Sequence, residues 1–464
     1  MMRRHRTTSR RLRTVTALAL TSLAATAVSA VPASADVTLT CSTTDLINAI
    51  NNANAGTGDP VINLDPYCVY EVTAAVSGDD GLPAITLTTG ITINGFNATI
   101  KRTGATAYRL FDVANQGKLT VNDLTVMNGA PSSAIGGGGV LVQSGGTLVG
   151  DNLTLEGNTA NIGGGMRSRT TSSLTLTDSH VEDNRTTGGA SIGGGLAIEG
   201  AATVTDTALT GNRARLGGAL YHAAGITNFS GGSAKFNTSF DEAGAVLSEA
   251  GTLTMDGTTI ADNRSATGGL AQSGGGGVEV TGGTTNLNNS TVTGNKVTGS
   301  GSGNDGGGGI LQTGGTLNLQ NTQVTNNQVI AEGAIGGGIS LVGGTLNVTD
   351  GSTVSRNLVS GRYSQGGGIH SRILFSTPNI TVTDSSVDMN TASGTGSSAA
   401  GIYNSGGTYT LTNASVSNNS APQATGPGGI YTSVAITAVT GSTFVNNTPT
   451  NCLRSPASVS TCTG

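Results

Sequence analysis

Residues 306–327 read Gly-Gly-Gly-Gly-Ile-Leu-Gln-Thr-Gly-Gly-Thr-Leu-Asn-Leu-Gln-Asn-Thr-Gln-Val-Thr-Asn-Asn, and this stretch decides the fold. A glycine run precedes the aliphatic Ile310. Leu317 and Leu319 then alternate with Asn318 and Gln320, the period-two pattern of a strand with one buried face. Asn321 follows, then Val324 and, three residues later, Asn327. The same marks recur along the chain. With the last Asn as register, the series is Asn128, Asn158, Asn184, Asn212, Asn237, Asn263, Asn295, Asn327, Asn357, Asn390, Asn419 and Asn447, a mean spacing of 29 residues. That period belongs to stacked repeats. Three residues before the mark stands an apolar side chain, as in Leu155, Val181, Ile260, Val354 and Phe444, with Thr125 and Ala234 as the exceptions. Six residues before it stands Asn, Asp or Gly in every repeat, from Asn122, Asn152 and Asp178 to Gly441. These residues accept a left-handed backbone most readily, so the column predicts one corner per repeat.

Each repeat thus reads as glycine bend, strand, loop, strand, corner, strand. One such coil is too small to bury its own apolar face. Stacking coils about 4.8 Å apart pairs their strands in parallel and joins the inward aliphatics into one core. The expectation is an all-β parallel β-helix solenoid of about 12–14 coils, in which twelve coils would extend about 58 Å. An antiparallel sandwich would need hairpin turns instead of the same corner in every period. A flexible Gly/Thr-rich linker would not keep three columns in register.

Composition agrees. Gly accounts for 74 of 464 residues, about 16% against an average near 7%, with 10 Pro and no Trp. Hydrophobic residues at 36% suffice for a core, while 3% aromatic and 11% charged residues require small side chains to do most of the packing.

The first 35 residues read as an export signal. Arg3, Arg4, Arg6, Arg10, Arg11 and Arg13 form a basic region, Val15 to Val28 is apolar, and Ala33-Ser34-Ala35 is an A-x-A cleavage site. Ser9-Arg10-Arg11 partly resembles a twin-arginine signal, but Leu12-Arg13 stands where hydrophobics are expected, which favours the general secretory route. A secreted, extracellular protein starting at Asp36 is expected. Six of the 22 Lys and Arg leave with the signal and none of the 27 Asp and Glu, taking the formal charge from −5 to −11. That balance repels phosphate backbones and anionic lipid, so no nucleic-acid partner is expected. No later stretch has the 18 or so apolar residues of a membrane span. Four cysteines in an exported chain suggest two disulfides; of three possible pairings, the local ones, Cys41–Cys68 and Cys452–Cys462, are expected. Leu46, Ile50 and Ala53 at helical spacing predict a short N-terminal capping helix over Asp45 to Ala53, with Asp45 or Thr44 as its cap. The chain divides into a signal (1–35), an N-terminal cap (36–81), the β-helix (82–447) and a C-terminal tail (448–464).

From about Leu82 to Asn447 the sequence resembles the right-handed parallel β-helix of the pectin-lyase-like superfamily. Gly217-Gly218-Ala219-Leu220 and Phe444-Val445-Asn446-Asn447 resemble the repeats of polymorphic outer membrane proteins. Ile91 to Arg102 and Arg109 to Val113 look like the first coils of secreted bacterial β-helices. The repeat resemblance implies an adhesin displayed by a C-terminal barrel; this sequence ends in Cys462-Thr463-Gly464.

Candidate chemistry is sparse. No Gly-Lys-Ser/Thr follows a glycine run, and the one G-x-G-x-x-G, Gly301 to Gly306, reads as a turn. Asp305 precedes its run, where a calcium-binding nonapeptide needs Asp after it. His180, His222 and His370 fall in separate repeats, so no metal, triad or cofactor is expected. Enzymes of the resembled superfamily carry acids and bases on the outward face of one sheet, but neither the lyase nor the polygalacturonase motif is present. The outward positions after the glycine runs include Arg167, Arg169, Glu199, Tyr221, Leu247, Glu249, Glu279, Leu311, Ser340, His370, Arg372, Tyr403 and Tyr431. Glu249 and Glu279 could face each other in neighbouring coils near the roughly 5–5.5 Å of a retaining glycosidase pair, although solvated surface acids explain them more simply. Tyr403 and Tyr431 stacked on His370, with Tyr221 and Arg372, form the candidate binding strip. The reading is a secreted non-catalytic β-helix that offers a repetitive surface to an extracellular glycan or protein. The alternative is a polysaccharide lyase or glycoside hydrolase using Glu249 and Glu279. Ice binding by the Thr columns is a third and weaker reading, because Thr shares those columns with Asn, Asp and Gln.

Overall fold

Asn321, the expected corner, has φ 47°, and the same position is left-handed in every repeat from Asn152 (49°) through Asp206 (45°), Gly257 (62°) and Asp384 (48°) to Gly441 (63°). A bend forced at one point per period makes the chain coil, because only a few residue types accept it. The computed structural model describes residues 37–189, 191–266, 274–299 and 306–464. The export segment and residues 301–305, which hold all but the last glycine of the G-x-G-x-x-G stretch and Asp305, lie outside the described residues.

The described chain is an all-β parallel β-helix solenoid of about 13 turns. The coil quoted above shows its plan. Ile310–Gln312 belongs to a 12-stranded sheet (the second sheet); Thr316–Gln320 and, past the corner, Gln323–Thr325 belong to a 26-stranded sheet (the first). Gln328–Ile330 then enters a 9-stranded third sheet, which the sequence reading did not separate from the turn after the Asn. Neighbouring coils pair in parallel and in register: Leu317, Leu346, Ile380 and Tyr409 form one buried column. Within the segment read as the N-terminal cap, Val61–Asn63 and Val69–Val72 already pair in parallel with Ile91–Arg102.

The Asn marks are an internal ladder. Asn327 is fully buried; its Nδ2 donates to Val292 O (2.9 Å) and Asn357 Oδ1 (3.0 Å), and its Oδ1 accepts from Asn295 N and Nδ2 (both 3.0 Å). Each amide thereby satisfies the N–H of the preceding coil's Asn, which the turn would leave orphaned in the core, and adds a bond to a strand carbonyl of that coil. One register mark needs correction. Asn128 has φ 63°, which aligns it with Gly157 (63°) and Asn326 (58°), the residues before the ladder. Gly129 occupies the ladder position, its N–H donating to Asn158 Oδ1 at 2.8 Å. The corner there is accordingly Asp123 (φ 50°), not Asn122, and buried Val126, paired with Leu155, removes the Thr125 exception.

The glycine runs bring backbone against backbone. A Cβ on Gly308 would lie 2.2 Å from Gly337 O and 2.8 Å from Gln328 N. Under the third sheet only small side chains fit, and Val297, Val329, Val359, Ala334, Ala392 and Ala400 form a second, minor core. The helix Thr43–Asn54 buries Leu46, Ile50 and Ala53 as expected, but its cap is Ser42, whose Oγ accepts from Asp45 N at 3.3 Å. Cys41 is bonded to Cys68, and Cys452 to Cys462.

Candidate functional site

The middle residue of each second-sheet strand points away from the main core. These residues form one column: Asp112, Leu141, Arg167, Ala197, Tyr221, Leu247, Glu279, Leu311, Ser340, His370, Tyr403 and Tyr431. Facing away from the core does not expose them. The chain entering each strand folds back over its own column: a Cβ on Gly193 would come within 3.2 Å of Ala197 Cβ, and on Gly366 within 2.9 Å of His370 Cβ. Leu247, Ser340 and His370 are buried under this roof.

The N-terminal half of the column carries charge. Arg109, buried, lies between three carboxylates, at 3.8 Å from Asp79, 3.5 Å from Asp80 and 3.7 Å from Asp112. Burial, reinforced by the Asp112 charge, pushes Asp80 up to about 6 despite Arg109. Gln143 bridges onward, donating to Asp112 Oδ2 (3.0 Å) and accepting from Arg169 Nη1 (2.9 Å), on the wall of a hollow of about 360 Å³. Arg167 pairs with Glu199 at 2.5 Å, and Tyr221 donates its hydroxyl to Glu249 at 2.6 Å.

Glu249 and Glu279 do lie in neighbouring coils, since Ser248 pairs with Val280. Glu279 is no solvated acid. It is 3% exposed, its Oε2 has no hydrogen-bond partner among the described residues, and burial, then the Glu242 charge, raises its pKa well above the carboxylate range. Glu242 is raised as well, by burial, and Arg215, which pairs with Asp241 at 3.4 Å, opposes that rise. A protonated acid can donate a hydrogen bond or a proton, so the group is chemically competent although enclosed.

The C-terminal half is aromatic. His370 and Tyr403 stack at 5.3 Å and Tyr403 and Tyr431 at 4.7 Å, with planes within 4°. His370 is depressed to about 3 by burial and by Arg372. Both faces of the Tyr403 ring and one face of the Tyr431 ring are taken up by stacking, and both residues are partly exposed. After Ser371 the turn carries Ile373, Leu374 and Phe375 at 57%, 47% and 65% exposure. Sequence reading missed this tip, although three consecutive large apolar residues outside any period-two pattern mark it. It also missed Arg109 with Asp79 and Asp80; a cation inside the apolar run Tyr108-Arg109-Leu110-Phe111 was the available signal.

His222 faces the interior beside Ser248 (3.4 Å) and is held down to about 4 by burial. His180, at the outer surface, is in a different sheet. Among the described residues no three His, Cys, Asp or Glu are grouped to hold a metal ion, and no helix is long and apolar enough to cross a membrane.

These features define a class of protein: a parallel β-solenoid with a roofed column of ionic and aromatic residues along one sheet. No family model, no curated protein and no solved structure matches the chain.

Proposed function

We propose that this is a secreted, non-catalytic β-helix that presents its repetitive surface for extracellular interaction, with Tyr403, Tyr431 and Arg372 in the contact strip. The observation that carries the reading is the state of the two carboxylates that chemistry would need. Glu279 is sealed from solvent, and Glu249 is engaged by the Tyr221 hydroxyl. Two disulfides support export, since such bonds persist in oxidising compartments. The glycine-aliphatic and apolar-x-x-Asn rhythm supports kinship with pectin-lyase-like β-helices and with adhesin-type repeats.

A second reading, a polysaccharide lyase or glycoside hydrolase, is favoured by one observation: a raised carboxyl at Glu279 near Glu242 and Glu249 resembles a general acid held protonated. One experiment separates the two. Acidic and neutral polysaccharides are incubated with the wild-type protein and with the Glu249→Ala/Glu279→Ala variant, and released sugar is measured beside binding to immobilised polysaccharide. Binding without release, weakened by Tyr403→Ala/Tyr431→Ala, supports the interaction reading. Turnover that the double glutamate variant loses overturns it.

A further inference from the structure

The third sheet holds a feature that net charge conceals. Its first outward position runs, coil after coil, through Arg185, Arg213, Thr238, Arg264 and Lys296, each paired in register with the next. In sequence these residues stand 25 to 32 apart and look scattered. Stacked in parallel they become a line of four cations over five coils, about 4.8 Å per step. The three arginines are exposed and the lysine half-exposed, while the alternate positions Thr186, Ala214, Ser239, Ser265 and Val297 are buried. None of the four is in an ion pair among the described residues, where Arg109, Arg167 and Arg215 take the ion pairs. Neutral partners hold them in place: Arg185 Nε donates to Thr159 Oγ1 (3.2 Å), Arg264 Nη2 to Thr298 Oγ1 (3.2 Å), and the Arg213 guanidinium lies 4.4 Å above the Phe240 ring. Two carboxylates, Asp183 and Asp262, stand two residues before Arg185 and Arg264, at left-handed turns.

Like charges at this spacing repel one another, at about 1 kcal/mol per pair near 4 Å even in water. A fold under no other demand gains nothing by lining them up on a chain of formal charge −5. We infer that this ladder is a binding site for a linear acidic polysaccharide, laid across the coils so that successive carboxylates or sulfates meet successive cations. Guanidinium groups match such oxyanions in a two-pronged fashion. The repeat distance favours a glycan, because a chain with one anionic group on every sugar or every second sugar keeps step with coils of this spacing. Phe240, 41% exposed beneath Arg213, supports the guanidinium that faces the glycan. Single-stranded nucleic acid would need an aromatic platform for its bases, and none of the ladder positions is aromatic. The inference rests on the interaction reading above and adds the chemistry of the partner, on a different sheet from the tyrosine strip.

The test uses the full chain and four probes: alginate (carboxylate), heparin (sulfate), neutral dextran and single-stranded DNA. Wild type is compared with Arg185→Gln/Arg213→Gln/Arg264→Gln/Lys296→Gln, with Arg213→Lys and with Tyr403→Ala/Tyr431→Ala, each checked for wild-type circular dichroism. Wild type should bind alginate or heparin and not dextran, and the anion preferred identifies the source. Affinity should fall with salt, and the quadruple variant should lose at least tenfold and flatten the slope of log affinity against log salt by about 3. Arg213→Lys, which keeps the charge and loses the fork, should keep the salt slope and lose part of the affinity, and the quadruple variant should lose more affinity for the anionic chain than the tyrosine variant does. Undiminished binding by the quadruple variant, equal binding of dextran, or preference for DNA would overturn the assignment. Loss of polyanion binding only in the tyrosine variant would overturn the ladder while leaving the interaction reading intact; no binding by any variant would remove the ladder as a glycan site.

Discussion

Replacing Asn327 by Ala tests the internal ladder directly. The side chain makes four hydrogen bonds, to Val292 O, to Asn357 Oδ1 and from Asn295 N and Nδ2. Two of these partners have other bonds: Asn295 Nδ2 still donates to Ile260 O (3.0 Å), and Asn357 Oδ1 still accepts from Asn327 N (2.9 Å). The Asn295 N–H is left unpaired in a water-free interior, at about 1–3 kcal/mol, while the Val292 carbonyl, which lies in a paired strand, loses one of its bonds. With the bond lost at Val292, the expected loss is about 3 kcal/mol, a large share of the 5–15 kcal/mol typical of a domain. The control is Asn347→Ala on the outer face of the first sheet, where Asn347 Nδ2 donates to Asn318 Oδ1 at 2.8 Å beside solvent. Water replaces that bond, and the expected loss is under about 1 kcal/mol. Urea unfolding followed by circular dichroism measures both. Hydrogen exchange locates the damage, which should centre on the coils touching Asn327, since each coil contacts only its neighbours. If the two variants lose the same stability within about 1 kcal/mol, the buried ladder is not what holds the turns.

Three further outcomes follow from the same structure. Gly308→Ala should lower the melting temperature far more than Gly351→Ala, because its Cβ would stand 2.2 Å from Gly337 O whereas Gly351, at φ 76°, has open space around it; scanning calorimetry compares them. Cys68→Ser frees a loop of sequence separation 27 and should destabilise the N-terminal coils by about 3.5 kcal/mol on the chain-entropy account, read by denaturant midpoint with and without reductant. Asp80 is raised from 3.8 to about 6, so the folded chain holds its proton more tightly than the unfolded chain does. Its stabilising contribution is complete below pH 3.8 and lost as pH rises through about 6. Asp80→Asn should flatten that fall in melting temperature, and an unchanged pH profile would show that Arg109 has already neutralised the carboxylate.

The corner column was legible because a left-handed backbone selects for Asn, Asp and Gly, a requirement met by single residues and visible wherever it recurs. The apolar columns and the helix at Leu46, Ile50 and Ala53 were legible for the same local reason. The first repeat slipped by one because Asn128-Gly129 puts an Asn beside the ladder position, and an amide pattern alone does not tell the two apart. The third sheet was hidden in strands of two to five residues, such as Lys296–Thr298, too short to show an alternation. Of the candidate site, the stacking of His370, Tyr403 and Tyr431 was readable once the period was known. The burial of Glu279 was not, because it depends on chain from adjoining coils that passes over it.

By itself the sequence determined the period, the corner and the inward face of each strand, all set by backbone preference or side-chain size within a few residues; the cysteine pairing, open among three choices with the local one preferred, was decided by which residues the coils bring together. Only the tertiary structure decided which outward residues meet water, that His222 lies inside, and that Arg185, Arg213, Arg264 and Lys296 form one line. Desolvation and charge proximity are properties of what packs against a residue, and here the neighbours that matter are about one coil away along the chain.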